Sequence, residues 1–161
     1  MNTDKFIQAY NTLIQHLYQT MGDTDHSTAA ALTIAKGKTV DSNDLSETEM
    51  EQVSDYVTRD IDHAAQNLHS NSDSSFSEWL KFDIDLIEDF ALDAFMELAD
   101  KTRLELALLE QQAKNHQTYQ SGDITGPGTF VCEECGKEIA FKSTSQIPEC
   151  PSCKAKVFIR S

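Results

Sequence analysis

Residues 132–153, "CEECGKEIAFKSTSQIPECPSC", place two Cys-x-x-Cys pairs fourteen residues apart. Two residues between paired cysteines make a tight knuckle whose backbone N–H groups turn toward the sulfurs, and two such knuckles complete a tetrahedral thiolate site. Cys132, Cys135, Cys150 and Cys153 are the expected metal ligands. With all four positions held by protein, none is left for a water or a substrate, so the expected metal is structural rather than catalytic. No N-terminal basic and apolar leader is visible, and a cytoplasmic chain in a reducing compartment uses such pairs for metal more readily than for disulfides.

One structural Zn2+ is the first choice of ion. Iron is the second, because "CEECG" and "PECPSC" also resemble the knuckles of rubredoxin-type iron sites and tetrahedral sulfur suits either metal. Dithiol redox chemistry is the remaining alternative. The flanking runs "TFV", "EIAFK" and "KVFIR" are β-prone, which predicts a small antiparallel zinc ribbon over 130–161. A module this small has too little core to fold alone; metal binding contributes on the order of 10–16 kcal/mol in zinc-finger peptides. The second knuckle carries Lys154 where glycine is usual, and a positive φ there would cost about 1 kcal/mol.

Upstream of the ribbon, "SGDITGPGTF" at 121–130 holds three of the six glycines and one of the three prolines. The composition predicts a linker over 121–129, separating the ribbon from an acidic helical region over 1–120. Between Phe76 and Gln117 there is neither Gly nor Pro, and Leu80, Ile84, Ile87, Ala91, Ala94 and Leu98 alternate steps of four and three. This heptad seam predicts one helix of roughly 60 Å. It would pack antiparallel against earlier helices, and two copies of the chain could pair through it as a homodimer.

Three shorter helices precede it. Phe6, Tyr10, Leu13, Leu17 and Met21, widened by Ile7, Ile14 and Tyr18, mark an amphipathic helix capped by Thr3 and ended by Gly22. An Ala-rich helix follows, capped by Asp25 or Ser27 and stopped near Gly37. Ser46 and Glu49 form a capping box for a third helix, with Met50, Val53, Val57, Ile61, Ala64 and Leu68 on its buried face. "HSNSDSS" at 69–75 reads as a turn. The fold class is thus mainly α, an antiparallel helical hairpin or coiled-coil bundle with a long helix, followed by a small C-terminal β ribbon.

The formal net charge is −14. It is uneven: residues 129–161 carry five Lys/Arg against four Asp/Glu, leaving eight against twenty-three for residues 1–128. An acidic body repels a phosphate backbone, so nucleic acid is disfavoured as a partner, and no apolar stretch approaches a membrane span. The run Asp83, Asp85, Glu88, Asp89 and Asp93 falls on the side of the long helix away from the seam, where it makes a wet face rather than a set of catalytic carboxylates.

The long helix, the Gly-rich segment and the ribbon together resemble the uncharacterised bacterial zinc-ribbon-containing proteins of the YbeL type. The resemblance is carried by "ELADKTRLEL" at 97–106, by "NHQTYQSGDITGPGTFVCEEC" at 115–135 and by "CPSC" at 150–153; "LSETEMEQVSDYVTRDI" at 45–61 agrees more loosely. It implies a helical N-terminal region with a C-terminal ribbon and a ligand role for the four cysteines. It implies no reaction. This chain departs from the family pattern at Leu106, where an aromatic is usual, and at Lys154.

The leading functional reading is a non-enzymatic interaction or regulatory module that presents its ribbon to a protein partner, with Phe141, Lys142, Lys156 and Arg160 as contact candidates. A rubrerythrin-like peroxidase is the enzymatic alternative, but it needs Glu-x-x-His pairs on its helices. The nearest matches are Asp60…His63, read as a surface pair, and Asp23…His26 in a turn. A regulator of RNA polymerase built from a coiled coil and a zinc site is a third reading. His16, His63, His69 and His116 lack a nucleophile or base partner in the sequence, and no phosphate-binding loop is present.

Overall fold

A computed structural model describes residues 3–23, 28–43, 45–68, 72–88, 90–108 and 119–160. The helical part comprises α1 (Thr3–Asp23), α2 (Thr28–Asn43), α3 (Glu47–Asn67), α4 (Asp73–Leu80) and α5 (Leu92–Leu108), with a single 3-10 turn at Ile84–Leu86. The chain ends in short strands, so the expected order of helices followed by a small antiparallel β module holds. No described helix is long and apolar enough to cross a membrane.

The stripe of α1 is buried at Phe6, Tyr10, Leu13, Ile14 and Leu17, whereas Tyr18 is exposed. The helix ends at Asp23, one residue beyond the expected stop at Gly22. On α2, Ala31, Ala35 and Thr39 recur every four residues and are all buried, and these small side chains let α2 lie close against α1. Gly37 does not end α2. It sits mid-helix with open space where a Cβ would point, so its entropic cost is borne without any steric need for glycine. The proposed caps Asp25 and Ser27 lie outside the described residues.

The capping box of α3 forms as the spacing predicts. Ser46 Oγ accepts the Glu49 N–H at 3.2 Å and the Glu49 carboxylate accepts the Ser46 N–H at 3.0 Å. Met50, Val53, Val57, Ile61, Ala64 and Leu68 are all buried, but so is Asp60.

The single helix expected from Phe76 to Gln117 is instead α4, an irregular stretch with the 3-10 turn, and α5. Residues 109–117 lie outside the described part. The helix stops because Lys81 adopts the left-handed region at φ 66° and caps α4, its N–H donating to the Ser77 carbonyl. Ser77 Oγ then takes the Ile84 N–H, and the Asp83 carboxylate takes the Asp85 N–H, so short polar side chains offer the backbone alternatives to a helix. The break also brings apolar side chains of the two pieces together. It lets Trp79 of α4 stack on Phe95 of α5, with centroids 5.7 Å apart, while Phe82, Ile84, Ile87 and Phe90 pack on the helical core. The heptad positions therefore share a core but do not form a seam along one axis. Asp83, Asp85, Glu88 and Asp93 are exposed as expected, though on three different pieces of chain.

The β module has a four-stranded antiparallel sheet in the order β1 (Tyr119–Gln120), β6 (Val157–Arg160), β3 (Gly128–Cys132), β4 (Glu138–Phe141), and a pair formed by β2 (Ile124–Thr125) with β5 (Ser145–Gln146). Its small core gathers Tyr119, Phe130, Cys132, Ile147, Cys150 and Phe158. Residues 121–129, expected as a linker, are largely structural: β2 and the start of β3 lie here, and 124–129 are buried. Ile124 belongs to the helical core, and Thr129 Oγ1 donates to the Leu80 carbonyl at 2.7 Å, satisfying an open carbonyl at the end of α4.

Candidate metal centre and the buried charges behind it

The four cysteines come together from two matched turns. In the first, Cys132 O accepts the Gly136 N–H and Cys132 N–H donates to Lys137 O; in the second, Cys150 O accepts the Lys154 N–H and Cys150 N–H donates to Ala155 O. The matching positions Gly136 and Lys154 have φ 76° and 61°. Lys154 thus takes the left-handed conformation that its glycine counterpart adopts freely, and the strain anticipated from the sequence is present.

All four sulfurs lie within 4.8 Å of one another, and among the described residues they are the one group of His, Cys, Asp and Glu side chains placed to hold a metal ion. The closest sulfurs are 3.4 Å (Cys135–Cys150) and 3.6 Å (Cys132–Cys153) apart, well beyond a disulfide length. Cys132 and Cys150 are buried, while Cys135 and Cys153 face solvent. Hydrogen bonds from the backbone N–H groups of Cys153 and Ser152 pull the Cys150 thiol down to about 6. For Cys153 the Ala155 N–H acts in the same direction, but burial and hydrogen bonding with the other three thiols outweigh it and push the group up to about 12. Crowded soft sulfurs, with the Cys150 thiol more readily ionised, fit a zinc or iron ion chemically.

Behind the ribbon core lies a second constellation, which local sequence reading missed. Asp60 of α3 has no solvent exposure. Its carboxylate accepts the Tyr10 hydroxyl of α1, Thr125 Oγ1 at 3.2 Å, the Gly126 N–H at 3.0 Å and Arg59 Nε at 3.2 Å, and it pairs with the Arg160 guanidinium at 3.7 Å. Burial opposes its ionisation, but the Arg59 and Arg160 charges and the hydrogen bonds from Tyr10 and Gly126 prevail, holding the carboxyl below its usual range. Burial and the Asp60 charge push the Tyr10 hydroxyl well up, and the same two causes raise Tyr119 to about 12.

Arg160, expected as an exposed contact residue, is buried. Its guanidinium lies 4.1 Å from the Trp79 ring centroid and 4.7 Å from that of Phe130, and it donates to the Pro127 carbonyl at 2.9 Å. Gly128 leaves the space for it, since a Cβ there would sit 1.8 Å from the guanidinium; a Cβ at Gly126 would come within 2.9 Å of the Tyr10 hydroxyl. Arg59 stacks over Tyr119 at 4.1 Å and also reaches Asp123 and the Ile124 carbonyl. Of the other contact candidates, Phe141 is half-buried against Phe130, while Lys142 and Lys156 are exposed.

Asp60 and His63 are not a surface pair: each engages different partners. His63 accepts the indole N–H of Trp79 on Nδ1 at 3.0 Å, and burial, with the nearby Arg160 charge, lowers it to about 4. His16 contacts Thr39 Oγ1 at 3.0 Å. His26, His69 and His116 lie outside the described residues. A cavity of about 280 Å3 opens beside His63, lined also by Asn67, Glu78, Trp79, Lys81 and Arg160. The signal for Asp60 was in the sequence: Met50, Val53, Val57, Asp60 and Ala64 continue one alternation of three and four. Its partners, more than sixty positions away on the ribbon side, were not.

No solved structure matches this chain. The uncharacterized protein YbeL of Escherichia coli strain K12 is 26% identical over 161 residues, covering 98% of this chain and 96% of the relative, and the same protein from strains O6:H1 and O157:H7 matches equally. The family model described as a zinc-ribbon containing domain matches residues 15–161, and the chain belongs to that family.

Proposed function

We propose that Cys132, Cys135, Cys150 and Cys153 hold one structural Zn2+ and that the chain acts as a non-enzymatic module presenting its ribbon to a protein partner in the cytoplasm. The observation that carries the metal assignment is the convergence of four sulfurs within 4.8 Å from two equivalent knuckles. A set of four protein thiolates closes the coordination sphere, which suits a structural ion and leaves no position for a substrate.

The interaction reading draws its support from the face of the sheet turned away from the ribbon core. Ile159 is 44% exposed there, beside the half-buried Val131 with which it is in register. Elemental analysis and a visible spectrum of protein purified without added metal test the first part. One equivalent of zinc and a colourless protein are the expected result; a red, iron-containing protein would favour electron transfer instead. For the second part, a binding partner captured by the native chain should be lost with Ile159→Glu. Capture that is indifferent to this change would place the contact elsewhere.

A further inference from the structure

The geometry points to a latch, centred on Asp60 and Arg160, through which the metal content of the ribbon controls the packing of the helical body. The inference rests on the zinc reading proposed above. Asp60 is supplied from two sides: Tyr10 and Arg59 belong to helices, whereas Thr125, Gly126 and Arg160 belong to the β module. Arg160 is placed by its strand. Phe158 of β6 stands opposite the ligand Cys132, and Arg160, two residues on, stands opposite Phe130.

β3 therefore carries Cys132 at one end and the Gly128 gap for the guanidinium at the other. A ribbon held together by its metal keeps β3 and β6 in register and keeps Arg160 over Asp60. Without the metal, a module with so small a core loses its sheet. Asp60 then loses Thr125, Gly126 and Arg160 together and keeps only Tyr10 and Arg59, and a buried charge stripped of part of its compensation is costly. The helices must open around it or take up a proton. Cys135 and Cys153 face solvent, so the site that governs the latch is accessible to a chelator.

Trp79 is a built-in reporter. It is the chain's single tryptophan, held between the Arg160 guanidinium and the Phe95 ring with its N–H on His63. The test is amide hydrogen exchange on the full chain, metal-loaded and after chelation, with metal content and Trp79 fluorescence read on the same samples. Chelation is expected to speed exchange in the ribbon and, at least tenfold, in α1 near Tyr10 and α3 near Asp60, with a red shift of the Trp79 emission. In Arg160→Met, the α3 amides should already exchange faster with metal bound, and chelation should add less than threefold. Thr125→Val, a milder change, should give an intermediate response if Arg160→Met does not fold.

Fast ribbon exchange with unchanged α1 and α3 amides overturns the latch and leaves the zinc reading standing. A chain that holds no metal, or whose ribbon amides ignore chelation, overturns both. Equal coupling in the native chain and both variants overturns the assignment of the latch to Arg160 and Thr125.

Discussion

His63 shows how one side chain can couple folding to pH. In the folded chain it is held neutral down to about pH 4, whereas in an unfolded chain it titrates near 6.5. Between these values the unfolded state binds the extra proton, so stability rises with pH through this window and falls on acidification from about 6.5 toward 4. The slope for one group is at most about 1.4 kcal/mol per pH unit, reduced by the partial exposure of the ring. Urea midpoints measured across pH 4–7 should therefore decline toward acid, and His63→Gln, which can still accept the Trp79 N–H, should flatten the profile. Lys154 offers an independent residue-scale test. Its left-handed backbone makes Lys154→Gly a stabilising change of about 0.5–1 kcal/mol, readable as an upward shift of the thermal midpoint of the metal-loaded protein. A downward shift would mean that the lysine side chain contributes more than its backbone strain costs.

At the scale of elements, the helices differ in what specifies them. The start of α3 is written locally, in a capping box whose two hydrogen bonds span three residues. The persistence of α2 through Gly37 is not, because its buried Ala31, Ala35 and Thr39 outweigh a propensity penalty of about 1 kcal/mol. Gly37→Ala should accordingly stabilise the chain by about 0.5–1 kcal/mol in chemical denaturation, since the added methyl meets nothing within 4 Å. The break after α4 is the reverse case. Periodicity and the absence of Gly and Pro favoured a continuous rod, but the rod could not bring Trp79 back onto Phe95 or lend the Leu80 carbonyl to Thr129. Contacts distant in the chain overrode a local pattern that read equally well as helix.

At the scale of the whole molecule, the Gly-Pro-Gly segment at 126–128 joins the helical body to the ribbon rather than spacing them apart. Gly128→Ala puts a methyl where the Arg160 guanidinium lies, and that group cannot easily yield because it is wedged between Trp79 and Phe130 and bonded to the Pro127 carbonyl. The expected cost is about 2–4 kcal/mol, measured by urea denaturation of the metal-loaded protein, with altered Trp79 emission as the signature of a displaced Arg160. Normal stability and an unchanged spectrum would show that the guanidinium can move aside without loss. The four-cysteine cluster, the capping box, the buried stripes of α1 and α3 and the progression from helices to a small sheet were all determined by the sequence alone, because each depends on residue types a few positions apart. Only the tertiary structure decided that Asp60 and Arg160 are buried together, that 124–129 are buried rather than part of a spacer, and that the heptad run folds back on itself. Their determinants are pairings of residues from sixteen to more than one hundred positions apart, and a charge, a glycine or an apolar repeat has no fixed meaning until the surface it will meet has been assembled.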